Sequence, residues 1–141
     1  MEFEIMTKAF EIDLPDSYSK LTDTLDTANK ILTTAVDDAR TLFHTPVVSS
    51  YDGKTISSRV MVLREFNLEN RKMRFHTDQR ATKINEFSSI SSATVIGYDP
   101  NLKIQIKLQG TVTLIMMMST KMHGWSHFKI KKMLLSERRI I

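Results

Sequence analysis

Apolar and polar residues alternate along most of the chain, whereas one segment near the start has helical spacing. From Leu21, apolar residues recur every three or four positions, which predicts an amphipathic helix over about 19–42, entered through Ser17 or Ser19. Alternating or continuously apolar runs predict strands over 43–50, 55–64, 73–77, 93–98 and 102–114. In the last run, one face is apolar and the other carries Lys103, Gln105, Lys107 and Gln109.

The turns between these segments favour an antiparallel sheet. Asp52-Gly53 separates the first two strands, and this dipeptide is a strong hairpin signal. Asp99-Pro100-Asn101 separates the last two strands. A short helix is predicted over 80–87, where Ile84 and Phe87 can pack inward. Five or six antiparallel strands with one crossing helix indicate a small barrel with an added helix.

The candidate chemistry lies between Ser58 and Lys83. An apolar run, Val60 to Leu63, is predicted to be a mostly buried strand with an arginine at each end. At the next strand-to-helix corner, free backbone N–H groups converge with two cations and two hydroxyls, namely Arg80, Lys83, Thr77 and Thr82. Such groups bind a phosphate monoester. An ordinary corner with solvated charges is the alternative that the residues leave open.

Three stretches of this chain, RVMVLREF, FHTDQRATK and QIKLQGTV, occur in an order and spacing that resemble a known family. They are similar to the pyridoxamine 5′-phosphate oxidase-related FMN-binding split β-barrels, from about Thr45 to about Leu114. The resemblance implies one domain over 1–141, a mainly β fold and a split antiparallel barrel with an N-terminal helix and a short crossing helix. It also implies FMN as cofactor and a homodimer that builds its flavin site between subunits.

The resemblance further implies which residues contact FMN. In the family, a strand with an arginine at each end borders the flavin ring and the ribityl chain. A residue pair later in the chain, together with the strand-to-helix corner that follows it, holds the phosphate. A glutamine reaches the flavin, commonly from the partner subunit. In this chain the positions are Arg59, Val60, Met61, Val62 and Arg64 for the strand, His76 and Thr77 for the pair, Arg80, Thr82 and Lys83 for the corner, and Gln105 for the glutamine. No catalytic side chain and no metal ligand is assigned.

The implied reaction is oxidation of a pyridoxine-type phosphate in vitamin B6 metabolism, with FMN carrying two electrons and O₂ accepting them. Three departures bear on it. Arg64 stands where the family directs a lysine at the substrate, and Ala81 stands where a serine is common. Beyond Gly110, the family's later substrate-phosphate and flavin-ring residues have no counterpart. A non-catalytic or truncated FMN-binding module is therefore an alternative.

Composition narrows the class of protein. The chain has no cysteine, which excludes disulfides and thiolate chemistry. Met1 to Phe10 lacks a signal-peptide pattern, and no apolar run approaches the ~20 residues that span a bilayer, so a cytoplasmic protein without membrane contact is expected. His44, beside Pro46, has no second ligand at metal-binding spacing and is predicted to be structural.

Residues 115–141 are atypical. They hold five of the nine methionines, and 121–141 carry six Lys or Arg against one Glu, which accounts for the whole net charge of +4. A Met-rich helix packed on the barrel and a slip of the reading frame are both compatible with this composition, because Met116 to Met118 must be encoded by a repeated ATG that reads as Asp codons in a neighbouring frame. A basic-tailed nucleic-acid binder, with Trp125 and Phe128 as stacking residues, is a weaker third hypothesis.

Overall fold

A computed structural model describes residues 10–78, 80–116 and 125–135. Within these ranges, every pair of neighbouring strands is antiparallel, in the order β2-β1-β5-β6-β7-β4-β3. The mainly β prediction is therefore confirmed. The elements are α1 (Leu21–Ala35), a 3₁₀ helix (Leu42–His44), β1 (Val47–Tyr51), β2 (Ile56–Val60), β3 (Leu63–Asn67), β4 (Lys72–Asp78), α2 (Thr82–Ser89), β5 (Ser92–Asp99), β6 (Ile104–Met116) and β7 (Trp125–Leu135).

The two edges of this sheet belong to strands that follow each other in the chain. β2 and β3 stand at opposite ends of the strand order, yet only Met61 and Val62 separate them. Because each residue adds at most about 3.6 Å, the two edges must lie close together in space. The sheet therefore curls into a barrel that is closed by a chain crossing, which is how the predicted split barrel is achieved.

The core lies inside this curl and under α1. Strand residues alternate strictly in β4, where Met73, Phe75 and Thr77 are buried. In β6 the prediction of one apolar face holds, since Ile104, Ile106 and Leu108 are all buried. The inner face of α1 completes the core with Ala28, Ile31, Leu32 and Ala35.

The N-terminal helix is shorter than the predicted span of 19–42. It begins after Lys20, which supplies no side-chain cap, so neither Ser17 nor Ser19 has the predicted capping role. It ends at Ala35, whose carbonyl oxygen lies 2.6 Å from His44 Nδ1. His44 therefore has a structural contact, in agreement with its predicted role.

The strand predicted over 55–64 is two strands. The hairpin at Asp52-Gly53 forms as predicted, with Gly53 at φ 98°, where a residue with a side chain would be strained. Beyond it, however, β2 stops at Val60, which is 64% exposed, and β3 starts at the fully buried Leu63. The apolar run is where the chain passes from one sheet edge to the other, so it is not continuously buried. Likewise, the strand predicted over 43–50 begins only at Val47, after the 3₁₀ turn.

The last described segment, 125–135, is a strand that pairs with both β4 and β6. The packing-helix interpretation is therefore wrong for these residues. The side chains of this strand, including the proposed stacking residues Trp125 and Phe128, lie outside what the structure describes, as do residues 117–124 and 136–141. Among the described helices, none is long and apolar enough to cross a membrane.

Candidate functional site

Arg59, the next-to-last residue of β2, joins β1 and β2 to α2. Its Nη1 donates to Ser50 Oγ at 2.8 Å and more weakly to the Val48 carbonyl oxygen at 3.4 Å. Its Nη2 donates to Glu86 Oε2 at 2.7 Å. The side chain is 20% exposed. Arg59 is therefore a half-buried cation held by two different elements.

Glu86 is the carboxylate that receives this cation. Ser50 Oγ donates to the same Oε2 atom at 2.5 Å. The hydrogen bonds from Ser50 and Arg59, together with the charge of Arg59, outweigh the effect of burial and hold the pKa of Glu86 below its usual range. Glu86 is thus ionised at neutral pH.

Lys83, three residues before Glu86 and so on the same side of α2, is a second half-buried cation. Burial and the nearby positive charge of Arg59 lower the pKa of Lys83, while Glu86 and Asp78 oppose that shift. Two cations that repel each other in a partly covered position form a site that an anion would stabilise. We refer to Ser50, Arg59, Lys83 and Glu86 as the Arg59–Lys83 cluster.

The start of α2 adds backbone donors beside this cluster. Ala81 precedes the helix in an extended conformation, and no side chain of a described residue caps the first N–H groups. Lys83 therefore belongs to a helical turn whose amide hydrogens have no side-chain acceptor. Such a turn carries a partial positive charge and favours an anion. The hydroxyl of Thr82 is exposed at the same place.

Arg80 does not join the cluster. Its Nε and Nη2 donate to the two carboxylate oxygens of Asp78 at 3.0 and 2.7 Å, and its backbone N–H donates to Oδ1 at 2.8 Å. These bonds lower the pKa of Asp78 to about 2. The Arg80 side chain is 88% exposed. The structure therefore places this predicted phosphate ligand at the rim of the corner, on a carboxylate of its own.

The predicted pair on β4 is divided between the two faces of the strand. Thr77 is 97% buried on the inner face, and its Oγ1 has no hydrogen-bond partner among the described residues. His76 is half-buried on the opposite face. A ligand atom that reached Thr77 Oγ1 would satisfy a buried hydroxyl whose isolation is costly.

The strand bracketed by Arg59 and Arg64 is the barrel crossing itself. Met61 is buried, and its N–H donates to the Pro46 carbonyl oxygen at 3.0 Å. Arg64 is exposed and lies at a bulge, where the pairing of β3 with β4 skips one residue. Arg64 is therefore a solvent-exposed cation near the start of β3.

Gln105 lies apart from the cluster within one chain. It is half-buried on β6 and pairs with Tyr98 of β5. The pairing registers put both residues on the outer face of the sheet, whereas Arg59 shares the inner face with Val48. A contact between Gln105 and a ligand at the cluster would thus have to come from a second subunit.

Sequence reasoning missed Glu86 and Ser50. Glu86 follows Lys83 by three residues in a predicted helix, a spacing that places two side chains on one face. Ser50 lies two residues before the Asp52-Gly53 turn, and the hairpin register opposes Val48 to Arg59 and Ser50 to Ser57. Both signals were present in the sequence, but a carboxylate is not an expected member of a phosphate-binding corner.

The donor set of the corner fits a phosphate monoester. Arg59 and Lys83 supply charge-assisted hydrogen bonds, and the uncapped start of α2 supplies neutral ones. The described residues contain no group of three or more His, Cys, Asp or Glu placed to hold a metal ion.

Comparison with solved structures shows the same fold. A pyridoxamine 5′-phosphate oxidase-related FMN-binding protein from Nostoc punctiforme superposes with a TM-score of 0.57 at 15% identity, covering 82% of this chain and 81% of that one. A putative pyridoxamine 5′-phosphate oxidase from Listeria innocua gives 0.57 at 14% identity, covering 77% and 99%. PhzG from Burkholderia lata, solved in complex with tetrahydrophenazine-1-carboxylic acid, gives 0.54 at 21% identity, covering 76% and 52%.

Comparison with curated proteins finds no significant match. The family model described as the pyridoxamine 5′-phosphate oxidase FMN-binding domain, however, matches residues 27–116, which is well over half of the 141-residue chain. The match covers the last nine residues of α1, the crossing between β2 and β3, the corner before α2 and the whole of β6. This chain therefore belongs to the family of pyridoxamine 5′-phosphate oxidase FMN-binding domains.

Proposed function

We propose that this protein is an FMN-dependent oxidoreductase of the pyridoxamine 5′-phosphate oxidase type, and that the Arg59–Lys83 cluster holds the phosphate of its cofactor. The single observation that supports the assignment is the pair of half-buried cations beside an uncapped helix start. A monoester carries close to two negative charges at neutral pH, so it would relieve the repulsion between the two cations.

The other site residues follow from this placement. Val60, Met61 and Val62 leave the cluster along the barrel crossing, so their backbone would border the ribityl chain and the ring. Thr77 would offer its buried hydroxyl, and Thr82 its exposed one. Arg80 would add long-range charge only, because Asp78 holds it.

The proposed reaction is two-electron oxidation of a pyridoxine-type phosphate. FMN supplies the redox chemistry when bound, and the chain supplies position and electrostatics. Glu86 is not placed as a general acid or base, since it is occupied by Arg59 and Ser50. The exposed Arg64 is the candidate for attracting the phosphate of the substrate.

The cofactor site would be completed by a second copy of the chain. The outer face of the sheet, which carries Gln105, also exposes apolar side chains: Tyr51 is 45%, Ile56 74%, Val60 64% and Tyr98 49% exposed. Burial of these side chains in a dimer would remove apolar surface from water. It would also bring Gln105 towards the barrel crossing of the partner, in agreement with the homodimer expected from the sequence.

A second candidate function is an FMN-binding module without oxidase activity. The position of Arg64 favours it, because an exposed arginine at a bulge replaces the lysine expected at the substrate. We place either form of the protein in the cytoplasm, as a participant in vitamin B6 metabolism if the oxidase reaction is present.

The test has two stages. The purified protein is mixed with excess FMN and passed over a size-exclusion column with absorbance detection, where we expect flavin to co-elute with a dimer. Pyridoxine phosphate is then added in air, and hydrogen peroxide release is measured. Retained flavin with peroxide supports the oxidase, and retained flavin without peroxide supports the binding module. A column fraction that stays colourless would contradict both.

A further inference from the structure

Glu86 places a negative charge at the centre of the cluster that we assign to a phosphate. Its side chain is only 16% exposed, and its Oε2 atom accepts hydrogen bonds from both Arg59 Nη2 and Ser50 Oγ. Arg59, Lys83 and Glu86 together carry a net charge of about +1, less than the charge of a monoester dianion. A carboxylate that reduces the attraction of the site for its ligand requires a compensating role.

The hydrogen bonds of the Arg59 guanidinium indicate that role. Of its five N–H donors, two on Nη1 go to Ser50 Oγ and the Val48 carbonyl oxygen, and one on Nη2 goes to Glu86. Nε and the second hydrogen of Nη2 take no partner among the described residues. Since these donors are fixed in one plane with those already used, the bonds to β1 and α2 determine where the remaining ones point.

Ser50 forms hydrogen bonds to both Arg59 and Glu86. Its hydroxyl oxygen accepts from Arg59 Nη1 at 2.8 Å and its hydroxyl hydrogen is donated to Glu86 Oε2 at 2.5 Å. Arg59, Ser50 and Glu86 thus form a ring of three hydrogen bonds in which each member holds the other two. Removal of Glu86 would release Nη2 and leave the hydroxyl of Ser50 free to turn.

We propose that Glu86 is a positioning residue for the cofactor: with Ser50, it orients Arg59 so that the unused donors of the guanidinium face the phosphate of FMN. The proposal rests on the proposed function, because it concerns the same phosphate. The free chain already has Arg59 in its binding geometry, so the ligand does not have to order a long flexible side chain. That saving in conformational entropy offsets the repulsion between Glu86 and the phosphate.

A competing role would be that of an internal anion, which occupies Arg59 until the ligand displaces it. The two roles predict opposite changes in FMN affinity when Glu86 is removed. A positioning residue strengthens binding, so its loss weakens affinity for FMN. An internal competitor weakens binding, so its loss raises that affinity.

The test is a double-mutant cycle on FMN affinity, measured by quenching of flavin fluorescence, with riboflavin as the ligand that lacks the phosphate. We expect Glu86→Ala to weaken FMN about tenfold, and Glu86→Gln to weaken it less than threefold because the amide oxygen still accepts from Arg59. Neither variant should change riboflavin affinity. In the Arg59→Ala background, Glu86→Ala should no longer weaken FMN, since there is no guanidinium left to orient.

A matched control and a second variant separate the proposed role of Glu86 from general effects of substitution. Glu65→Ala, on β3, removes another carboxylate paired with an arginine: its Oε2 lies 3.0 Å from Arg74 Nη2 on β4. This variant should leave both affinities unchanged. Ser50→Ala should weaken FMN in the same direction as Glu86→Ala, which provides a second variant if Glu86→Ala folds poorly.

Each of the following results would overturn the proposal. Tighter FMN binding by Glu86→Ala would make Glu86 a competitor. Equal losses for FMN and riboflavin, or an equal loss in the Arg59→Ala background, would make its role merely structural. If the wild-type chain bound no FMN at all, the proposed function itself would fail. Normal wild-type binding with an unaffected Glu86→Ala variant would remove the positioning role alone.

Discussion

Two corners of this molecule share one local hydrogen-bonding pattern, in which an aspartate accepts from the backbone and side chain of the arginine two residues later. At Asp38 and Arg40, the arginine N–H donates to Oδ1 at 3.0 Å, and Nε and Nη2 donate to the two carboxylate oxygens at 2.9 and 2.6 Å. At Asp78 and Arg80 the corresponding distances are 2.8, 3.0 and 2.7 Å. In both corners the bonds to the arginine lower the pKa of the aspartate to about 2.

The surroundings of the two corners differ. The first leads into Thr41, whose hydroxyl donates to the buried Asp99 at 3.0 Å, so its neighbours are satisfied within the chain. The second leads into α2, where Lys83 lies close enough to Arg59 for the two charges to repel. The comparison shows that the arginine side chain in an Asp-x-Arg corner is held by hydrogen bonds to the aspartate two residues before it. In the proposed function, the phosphate is bound by Arg59 and Lys83, which are not held by such a local motif.

The largest expected effect is on stability, at the first corner. Asp99→Ala should lower the free energy of unfolding by about 3 kcal/mol, because it removes the acceptor of Thr41 and of two backbone N–H groups, those of Asn101 and Leu102. Urea unfolding measures it. Asp99→Asn keeps an acceptor and should cost less. Reduced FMN affinity in the folded Asp99→Ala protein would contradict the separation of the two regions.

The next effect is on binding, at the second corner. Lys83→Ala and Arg59→Ala should each weaken FMN by roughly 1.5–3 kcal/mol, the scale of a charge-assisted hydrogen bond, which is about tenfold or more. Fluorescence titration with FMN measures it. Arg40→Ala, which removes a matched arginine from the first corner, is the control and should bind normally. Unchanged affinity in both Lys83→Ala and Arg59→Ala would refute the site assignment.

A smaller effect distinguishes the two matched arginines. Arg80→Ala should weaken FMN less than about threefold, and neither Arg80→Ala nor Arg40→Ala should change the urea unfolding midpoint measurably, because exposed ion pairs contribute little. The same titration and urea unfolding measure these values. If Arg80→Ala weakened FMN as strongly as Lys83→Ala, Arg80 would be a direct ligand and the comparison would fail.

The smallest effect is on acid stability. Asp38 and Asp78 have pKa values lowered from 3.8 to about 2 in the folded chain, so the stability they contribute is complete above pH 3.8 and is lost as the pH falls towards 2. Asp38→Asn and Asp78→Asn should each flatten the decline of unfolding free energy between pH 4 and 2. Because the geometries match, the two variants should behave alike. A pH dependence in only one of them would show that the corners are not equivalent.

Local patterns in the sequence were sufficient where one face of an element is buried. Alternation along β6 placed Ile104, Ile106 and Leu108 in the core, and Asp52-Gly53 identified the first hairpin. Chain closure was not predictable in this way. The residues from Val60 to Leu63 are continuously apolar, which is compatible with one strand and with a crossing between two sheet edges. Only the pairing of distant strands distinguishes these two structures.

The same limit applies to the helix and to the site. Val36 and Ala39 continue the helical spacing, but the Asp38–Arg40 corner and the contact of His44 with the Ala35 carbonyl end the helix earlier. Lys83 was predicted as a phosphate ligand because cations at a helix start favour phosphate, and this stays a prediction. The contacts of Glu86 were missed, since they form a hydrogen-bonded ring that joins residues far apart in sequence.

The most direct test of the central claim is the ratio of FMN to riboflavin affinity, measured by calorimetry in the wild-type chain and in Lys83→Ala. The two ligands differ only in the phosphate. We predict that the wild-type chain binds FMN at least tenfold more tightly than riboflavin, and that this preference falls by about tenfold or more in Lys83→Ala while riboflavin affinity stays constant. An equal affinity for both ligands in the wild-type chain, or a preference that survives Lys83→Ala unchanged, would contradict it.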